Sequence, residues 1–200
     1  MDRIADIVRV TQLVQVWGLY RDQGLWPELA STFTADGTIA VSWFEGSHAD
    51  FIEACRATHK PRSPRTKHLI GTPVVRIDGD RAIAETSIQI LGRAMIAGIA
   101  VDNTSHARFI DRIVRDGNDW RIAERRAIYE KDRLDPVIPS AAFDRLMSET
   151  DFSALPEPYR YLGFRLIEAG RTLRPDILID GSPEADAALA AVKAWLAAVG

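Results

Sequence analysis

Residues 68–91, HLIGTPVVRIDGDRAIAETSIQIL, alternate apolar and polar side chains on both sides of an Asp78-Gly79 pair. Alternation with a period of two is typical of a strand with one buried face, and Asp-Gly supplies the positive φ angles of a two-residue hairpin turn. Residues 105–130, SHARFIDRIVRDGNDWRIAERRAIYE, repeat the pattern around Asp116-Gly117. The sequence therefore predicts two β-hairpins in the middle of the chain.

Three helices are predicted ahead of these hairpins. Residues 2–23 carry apolar side chains at helical spacing, and Gly24 is a typical left-handed stop. A short second helix is expected to follow and to include Phe33. Ser47 and Asp50 have the spacing of a capping pair, which predicts the start of a third helix.

Helices followed by a run of antiparallel strands predict an α+β fold. The composition changes after the second hairpin, where helix starts are expected at Ser140, Pro156 and Ser182. We therefore expect a main domain over residues 1–139 and a helical extension over residues 140–200, packed on the core or on a neighbouring subunit.

The composition argues against several classes of protein. The net charge of −3 is unlike that of proteins that bind a phosphate backbone, and the one basic run, residues 59–65, is predicted to be a loop. The single cysteine, Cys55, excludes an internal disulfide and paired-thiol zinc sites. We find no bilayer-spanning run, metal-ligand spacing, phosphate-binding loop or nucleophile elbow. A cytoplasmic protein without metal, cofactor, nucleic-acid partner or membrane contact is expected.

Two residues stand out as candidates for chemistry. Asp22 lies at the carboxyl end of the first helix, where the partial charge disfavours a carboxylate, and His68 opens a strand. An aspartate that accepts from one imidazole nitrogen leaves the other free to remove a proton. From the residues alone two alternatives stay open: a solvated Asp22 beside Arg21, and a His68 bonded to a loop carbonyl.

Other polar and aromatic residues are weaker candidates. His106 and Arg108 share one face of their strand, which points either towards His68 or into solvent. His48 and His59 are expected to be exposed. Further substrate contacts are predicted at Trp17, Tyr20, Trp43 and Lys67.

A resemblance to a known family is carried by the order of elements and by three segments. These segments are LYRDQGLWPELASTFTADGTI (19–39), TKHLIG (66–71) and RIVRDGNDWRIAERR (112–126). Over residues 3 to 135 they resemble the SnoaL-like branch of the NTF2-like superfamily, and most of all the group with scytalone dehydratase, bile acid 7α-dehydratase and γ-hexachlorocyclohexane dehydrochlorinase. The resemblance places the catalytic aspartate and histidine of that group on Asp22 and His68.

The resemblance implies a cone of curved antiparallel sheet packed on three N-terminal helices, with an apolar pocket and a homodimeric or homotrimeric assembly. It implies a cofactor-independent lyase acting on a small aromatic or alicyclic substrate. His68 would remove a proton while water, halide or a formaldehyde equivalent leaves, the last as in deformylation of lignin-derived diarylpropanes. The alternative is a noncatalytic ligand-binding module or the small subunit of a ring-hydroxylating oxygenase, since the scaffold also serves those roles.

This chain departs from the resembled enzymes at several positions. Trp17 stands where two of them have lysine or tyrosine, and Arg21 stands where scytalone dehydratase has tyrosine. His106 and Arg108 replace a serine and an asparagine. With Lys67, these two are the predicted groups for stabilising developing negative charge, and the substrate is expected to differ from all three known ones.

Overall fold

The computed structural model describes residues 3–59 and 66–198, so the loop predicted within the basic run lies outside it at 60–65. Its helices are α1 (Arg3–Gln23), α2 (Trp26–Ala30), α3 (His48–Thr58), α4 (Ala141–Glu149), α5 (Arg160–Glu168) and α6 (Pro183–Ala197). Its strands are β1 (Phe33–Val41), β2 (Phe44–Ser47), β3 (Thr66–Ile70), β4 (Val74–Asp78), β5 (Arg81–Ile96), β6 (Ile99–Asp116), β7 (Asp119–Pro136) and β8 (Leu178–Ile179). Within the described ranges, no helix is both long and apolar enough to cross a bilayer.

Four predicted helix ends are confirmed, whereas the helix start expected at Pro156 lies before a single 3-10 turn, and α5 begins at Arg160. Gly24 follows α1 with a φ of +71°, a left-handed angle that glycine adopts without steric cost. The Ser47, Ser140 and Ser182 hydroxyls accept backbone N–H groups in the first turns of α3, α4 and α6. The prediction that the second helix reaches Phe33 is wrong, because α2 ends at Ala30 and Phe33 opens β1.

The eight strands form one sheet in the order β2-β1-β7-β6-β5-β3, with β4 also paired to β5 and β8 to β7. Most neighbours are antiparallel, as expected, but β1 and β8 both run parallel to β7. The hairpin turns are shifted by one residue from the prediction, since Asp78 pairs with Arg81 and the turn begins at Gly79. Glycine with a positive φ at the first central position is typical of a type II′ turn.

Irregular pairing along β7 determines which side chains face inward. The register between β6 and β7 shifts between His106 and Ala107 and again between Arg112 and Ile113. Each shift is a β-bulge, which adds a residue to one strand and bends the sheet. The shift between Arg112 and Ile113 adds a residue to β7 between Trp120 and Tyr129, so both contribute to the main core although strict alternation would place them on opposite faces.

The two faces of the sheet bury different cores. The inner face packs with α1, α3 and the start of α5 around a cluster that includes Trp17, Phe51, Phe109 and Tyr159. The outer face is covered by α6, where Ile83, Ile110 and Ile128 meet alanine and valine side chains of the helix. The segment beyond residue 139 therefore covers both faces, and α5 places side chains beside the main core.

Candidate active site

A cavity of about 450 Å³ opens on the inner face of the sheet. Its size lies within the range of ligand pockets for small molecules. The described residues that line it come from α1, α3, α5, the strands β1, β3, β5, β6 and β7, and the loops that follow β1, α3 and α5. The aromatic members of its lining are Trp17, Trp43, Phe51, Phe109 and Tyr129.

Asp22 and His68 meet in this cavity. The Nδ1 atom of His68 lies 2.6 Å from Oδ1 of Asp22, and the backbone N–H of His68 donates to Oδ2 at 2.7 Å. Both carboxylate oxygens of Asp22 therefore hold the same residue, and the side chain of Asp22 is only 1% exposed. Asp22 is not a solvated helix-end residue, and His68 has a carboxylate rather than a loop carbonyl as its ring partner.

The close approach of α1 to β3 explains how these residues meet. Gly18 lies one turn before Asp22 on the same side of α1, since residues four apart share a helix face. A Cβ atom at Gly18 would lie 2.6 Å from Cγ1 of Ile70 and 3.6 Å from Cβ of His68. The missing side chain lets the helix pack against the strand, and this packing brings the carboxylate to the imidazole.

The surroundings favour the neutral form of His68. Burial lowers the pKa of His68 below its ordinary value, and the nearby Arg21 and Arg165 lower the pKa further, while the hydrogen bond to Asp22 acts in the opposite direction. A neutral imidazole that donates Nδ1–H to a carboxylate carries a lone pair on Nε2. The geometry therefore suits proton removal by Nε2.

Trp17 lies between this pair and a buried ion pair. Its ring meets the His68 ring edge to face, with the centroids 5.8 Å apart. Behind it, the guanidinium of Arg125 lies 4.7 Å from the Trp17 ring centroid and 4.3 Å from that of Phe109. Arg125 forms two hydrogen bonds with Asp111, at 2.7 and 2.8 Å, and both side chains are fully buried.

Of the six predicted substrate contacts, two line the cavity and four do not, and the last two of these four, His106 and Arg108, lie on the outer face of the sheet. Trp17 and Trp43 belong to the lining. Tyr20 packs against the core, and Lys67 is half exposed with its Nζ atom 3.9 Å from Oδ2 of Asp22. Neither lies in the lining.

The placement of His106 and Arg108 in the substrate site is wrong. Phe109 faces the cavity, so its strand neighbour Arg108 points to the outer face, where it pairs with the carboxylates of Glu85, Glu130 and Asp180. His106 shares that outer face because alternate residues of a strand point the same way.

The expectation of exposed His48 and His59 is also wrong. His48 is half-buried, with Nδ1 3.1 Å from the carbonyl oxygen of Gly37 and its ring stacked on Phe33. His59 lines the cavity and packs edge to face on Trp26.

Three arginines that the sequence did not suggest as site residues line the cavity: Arg21, Arg165 and Arg171. Arg21 is the residue before Asp22 on α1, and this adjacency to a candidate catalytic residue could have indicated a site residue. Arg165 and Arg171 come from the C-terminal segment, where no motif marked them. Among the described residues, no group of three or more histidine, cysteine or acidic side chains has the geometry to hold a metal ion.

The chain is similar in sequence to several curated fungal proteins. The chain is 26% identical to pea pathogenicity protein 2 of Fusarium vanettenii over 159 residues, which is 78% of this chain and 67% of that protein. It is 28% identical over 166 residues to an uncharacterised protein of Emericella nidulans, covering 80% and 69% of the two chains.

Two solved structures show the same fold at low sequence identity. A hexachlorocyclohexane dehydrochlorinase superposes with a TM-score of 0.57 at 13% identity, covering 70% of this chain and 93% of the enzyme. A scytalone dehydratase-like protein of Novosphingobium aromaticivorans gives 0.54 at 13% identity, covering 69% and 91%.

These likenesses confirm the predicted fold class, an α+β structure with a curved NTF2-like sheet. The sequence profile of the SnoaL-like domain matches residues 2–126, more than half of the chain. The chain therefore belongs to the SnoaL-like domain family.

Proposed function

We propose that this protein is a cofactor-independent lyase in which His68 removes a proton from a small aromatic or alicyclic substrate. The observation that carries the proposal is the 2.6 Å contact between Nδ1 of His68 and Oδ1 of Asp22 at the wall of the cavity. A base and its orienting carboxylate in a pocket with aromatic walls are the parts that proton abstraction requires.

In the proposed step, Nε2 of His68 takes a proton from a substrate carbon next to an activating group. The C–H electron pair forms a double bond as the leaving group departs with its own bonding pair. Asp22 keeps the Nδ1–H tautomer and stabilises the imidazolium that forms. The imidazolium then returns its proton to solvent or to the departing group, which restores the neutral base.

The environment of His68 supports a base rather than an acid as the resting state. Because burial and the neighbouring arginines hold the pKa of His68 below its ordinary value, the imidazole is unprotonated at neutral pH. The same arginines line the cavity with His68, so their charges are available to stabilise negative charge that develops on the substrate. Positive charge preorganised in a pocket is among the largest contributions to stabilising such a transition state.

The proposal is tested with compounds whose elimination creates a conjugated double bond, such as aromatic and alicyclic ketones with a hydroxyl or chloride on the β-carbon. Ultraviolet absorbance reports elimination. Incubation in D₂O reports proton abstraction separately, because exchange at the acidic carbon needs only the base. His68→Gln is expected to abolish both signals.

The matched control is His106→Gln, since His106 lies on the outer face and is expected to leave both signals unchanged. Elimination that persists in His68→Gln contradicts the proposed role of His68. Ligands that bind in the cavity without exchange or elimination, in the wild type as in the variant, support the noncatalytic alternative instead.

A further inference from the structure

Arg165 and Arg171 of the cavity differ from three other arginines whose side chains are largely buried. Arg125, Arg115 and Arg108 each hold at least one carboxylate within 3.3 Å. Within the described part of the chain, neither Arg165 nor Arg171 forms an ion pair of this kind, and Arg171 instead donates to Oγ1 of Thr58 at 2.8 Å.

The surroundings of Arg165 leave its charge uncompensated. Its Nε atom is buried without a hydrogen-bond partner among the described residues. The guanidinium fits against Gly92, where a Cβ atom would lie 3.1 Å from its Cζ atom. A desolvated cation without a counter-ion is costly, and burial accordingly lowers the pKa of Arg165.

Arg171 presents a fixed plane to the same cavity. Its guanidinium carbon lies 4.0 Å from the ring centroid of Trp43, and Trp43 stacks on Phe51 with the two rings inclined by 27°. Arg21 lines the same cavity as Arg165 and Arg171, and its charge lowers the pKa of both. The cavity thus joins aromatic walls to three positive charges, against the single carboxylate of Asp22.

We propose that the substrate of this site is an aromatic carboxylate whose anionic group is bound by Arg165 and Arg171 while its ring lies against the aromatic wall. A guanidinium presents paired N–H donors that match the two oxygens of a carboxylate. A phenol, which is neutral at pH 7, would leave the charges uncompensated. The inference rests on the proposed function in treating this cavity as the substrate site, and it specifies the class of substrate.

The test uses cinnamate and cinnamamide as probes, because the two have the same shape and differ in charge. Calorimetry is expected to show that wild-type protein binds cinnamate about 10- to 100-fold more tightly than cinnamamide, as for charge-assisted hydrogen bonds. Arg165→Met and Arg171→Met are expected to remove most of this preference. Arg165→Lys keeps the charge and loses the paired donors. Its preference for cinnamate is expected to lie between that of the wild type and that of Arg165→Met.

The matched control is Arg93→Met. Arg93 is outside the cavity lining, where it pairs with Asp102 through hydrogen bonds of 2.6 and 2.8 Å. This variant should keep the full preference for cinnamate. Equal affinity for the two probes in the wild type overturns the inference, as does an unchanged preference in a folded Arg165→Met protein whose circular dichroism matches the wild type.

One further variant separates this inference from the proposed function. His68→Gln is expected to bind cinnamate with unchanged preference over cinnamamide, because the anion is held by the arginines. In the wild type, selective binding of cinnamate without any elimination or exchange activity would support the anion site and contradict the lyase. Elimination from neutral ketones without any preference for cinnamate would support the lyase and contradict the anion site.

Discussion

The protonation state of His68 gives a test that needs no substrate. In the wild type, the carboxylate of Asp22 accepts from Nδ1 and from the backbone N–H of His68. Asp22→Asn keeps the shape of this side chain but leaves a single acceptor oxygen for two donors. We expect the variant to lose the fixed tautomer and, because the hydrogen bond to Asp22 raises the pKa of His68, to titrate at lower pH than the wild type.

The magnitude follows from the geometry of the contact. A hydrogen bond to a charged group contributes about 1.5–3 kcal/mol, and 1.4 kcal/mol corresponds to a factor of ten. The Nδ1–H tautomer should therefore exceed the Nε2–H tautomer by about 10- to 100-fold in the wild type. In Asp22→Asn this excess should fall to a few-fold or reverse, since the amide can also donate to Nδ1.

Nitrogen-15 NMR of the imidazoles measures both quantities. The protein has four histidines, so His48, His59 and His106 serve as references in the same spectra, and His68→Gln assigns the signal. The control variant is Asp102→Asn, which removes a carboxylate outside the cavity. A wild-type His68 that carries its proton on Nε2, or titrates above the ordinary histidine range, would refute the reasoning.

Three further perturbations test the fold around the site. Asp111→Asn or Arg125→Met leaves one buried charge unpaired and should lower the unfolding free energy in urea by about 3–5 kcal/mol. Gly18→Ala places a Cβ atom 2.6 Å from Cγ1 of Ile70, and the melting temperature should fall because overpacking costs about 1–3 kcal/mol. Burial raises the pKa of Asp132 to about 6, above its unfolded value, so the folded state holds more protons between about pH 4 and pH 6. Stability should then fall by about 1 kcal/mol as the pH rises through that window, after allowance for solvent, and urea titrations of Asp132→Asn should lack this slope.

Local chemistry made several elements predictable from the sequence. Ser47, Ser140 and Ser182 mark helix starts because a hydroxyl before an apolar run can accept the unpaired N–H groups of the first turn. Gly79 and Gly117 mark hairpins because their positive φ angles are open to few other residues. These signals act within a few residues, so a single sequence carries them.

The inward face of the central strands was not predictable in the same way. The bulges along β7 change the alternation twice, and nothing local identifies the extra residues. A period of two places Arg108 and Phe109 on opposite faces of β6, but it does not show which of the two lines the cavity. The buried ion pair of Arg125 with Asp111 was not predictable either. A charged residue considered alone is expected on the surface, and only its partner makes burial possible.

Two parts of the chain contribute to the site: one supplies the Asp22 and His68 pair, and the other supplies two of the cavity arginines. Asp22 and His68 come from α1 and β3, inside the residues matched by the SnoaL-like domain, and the packing of Gly18 fixes their separation. Arg165 and Arg171 come from beyond residue 126, where that match ends. The tautomer of the base depends on the first part alone, whereas the charge of the pocket depends largely on the second. Arg165 lowers the pKa of His68 without contacting the hydrogen bond between His68 and Asp22. In the proposed mechanism the C-terminal segment therefore selects the ligand and adjusts the base, while the geometry of the Asp22 and His68 pair stays intact.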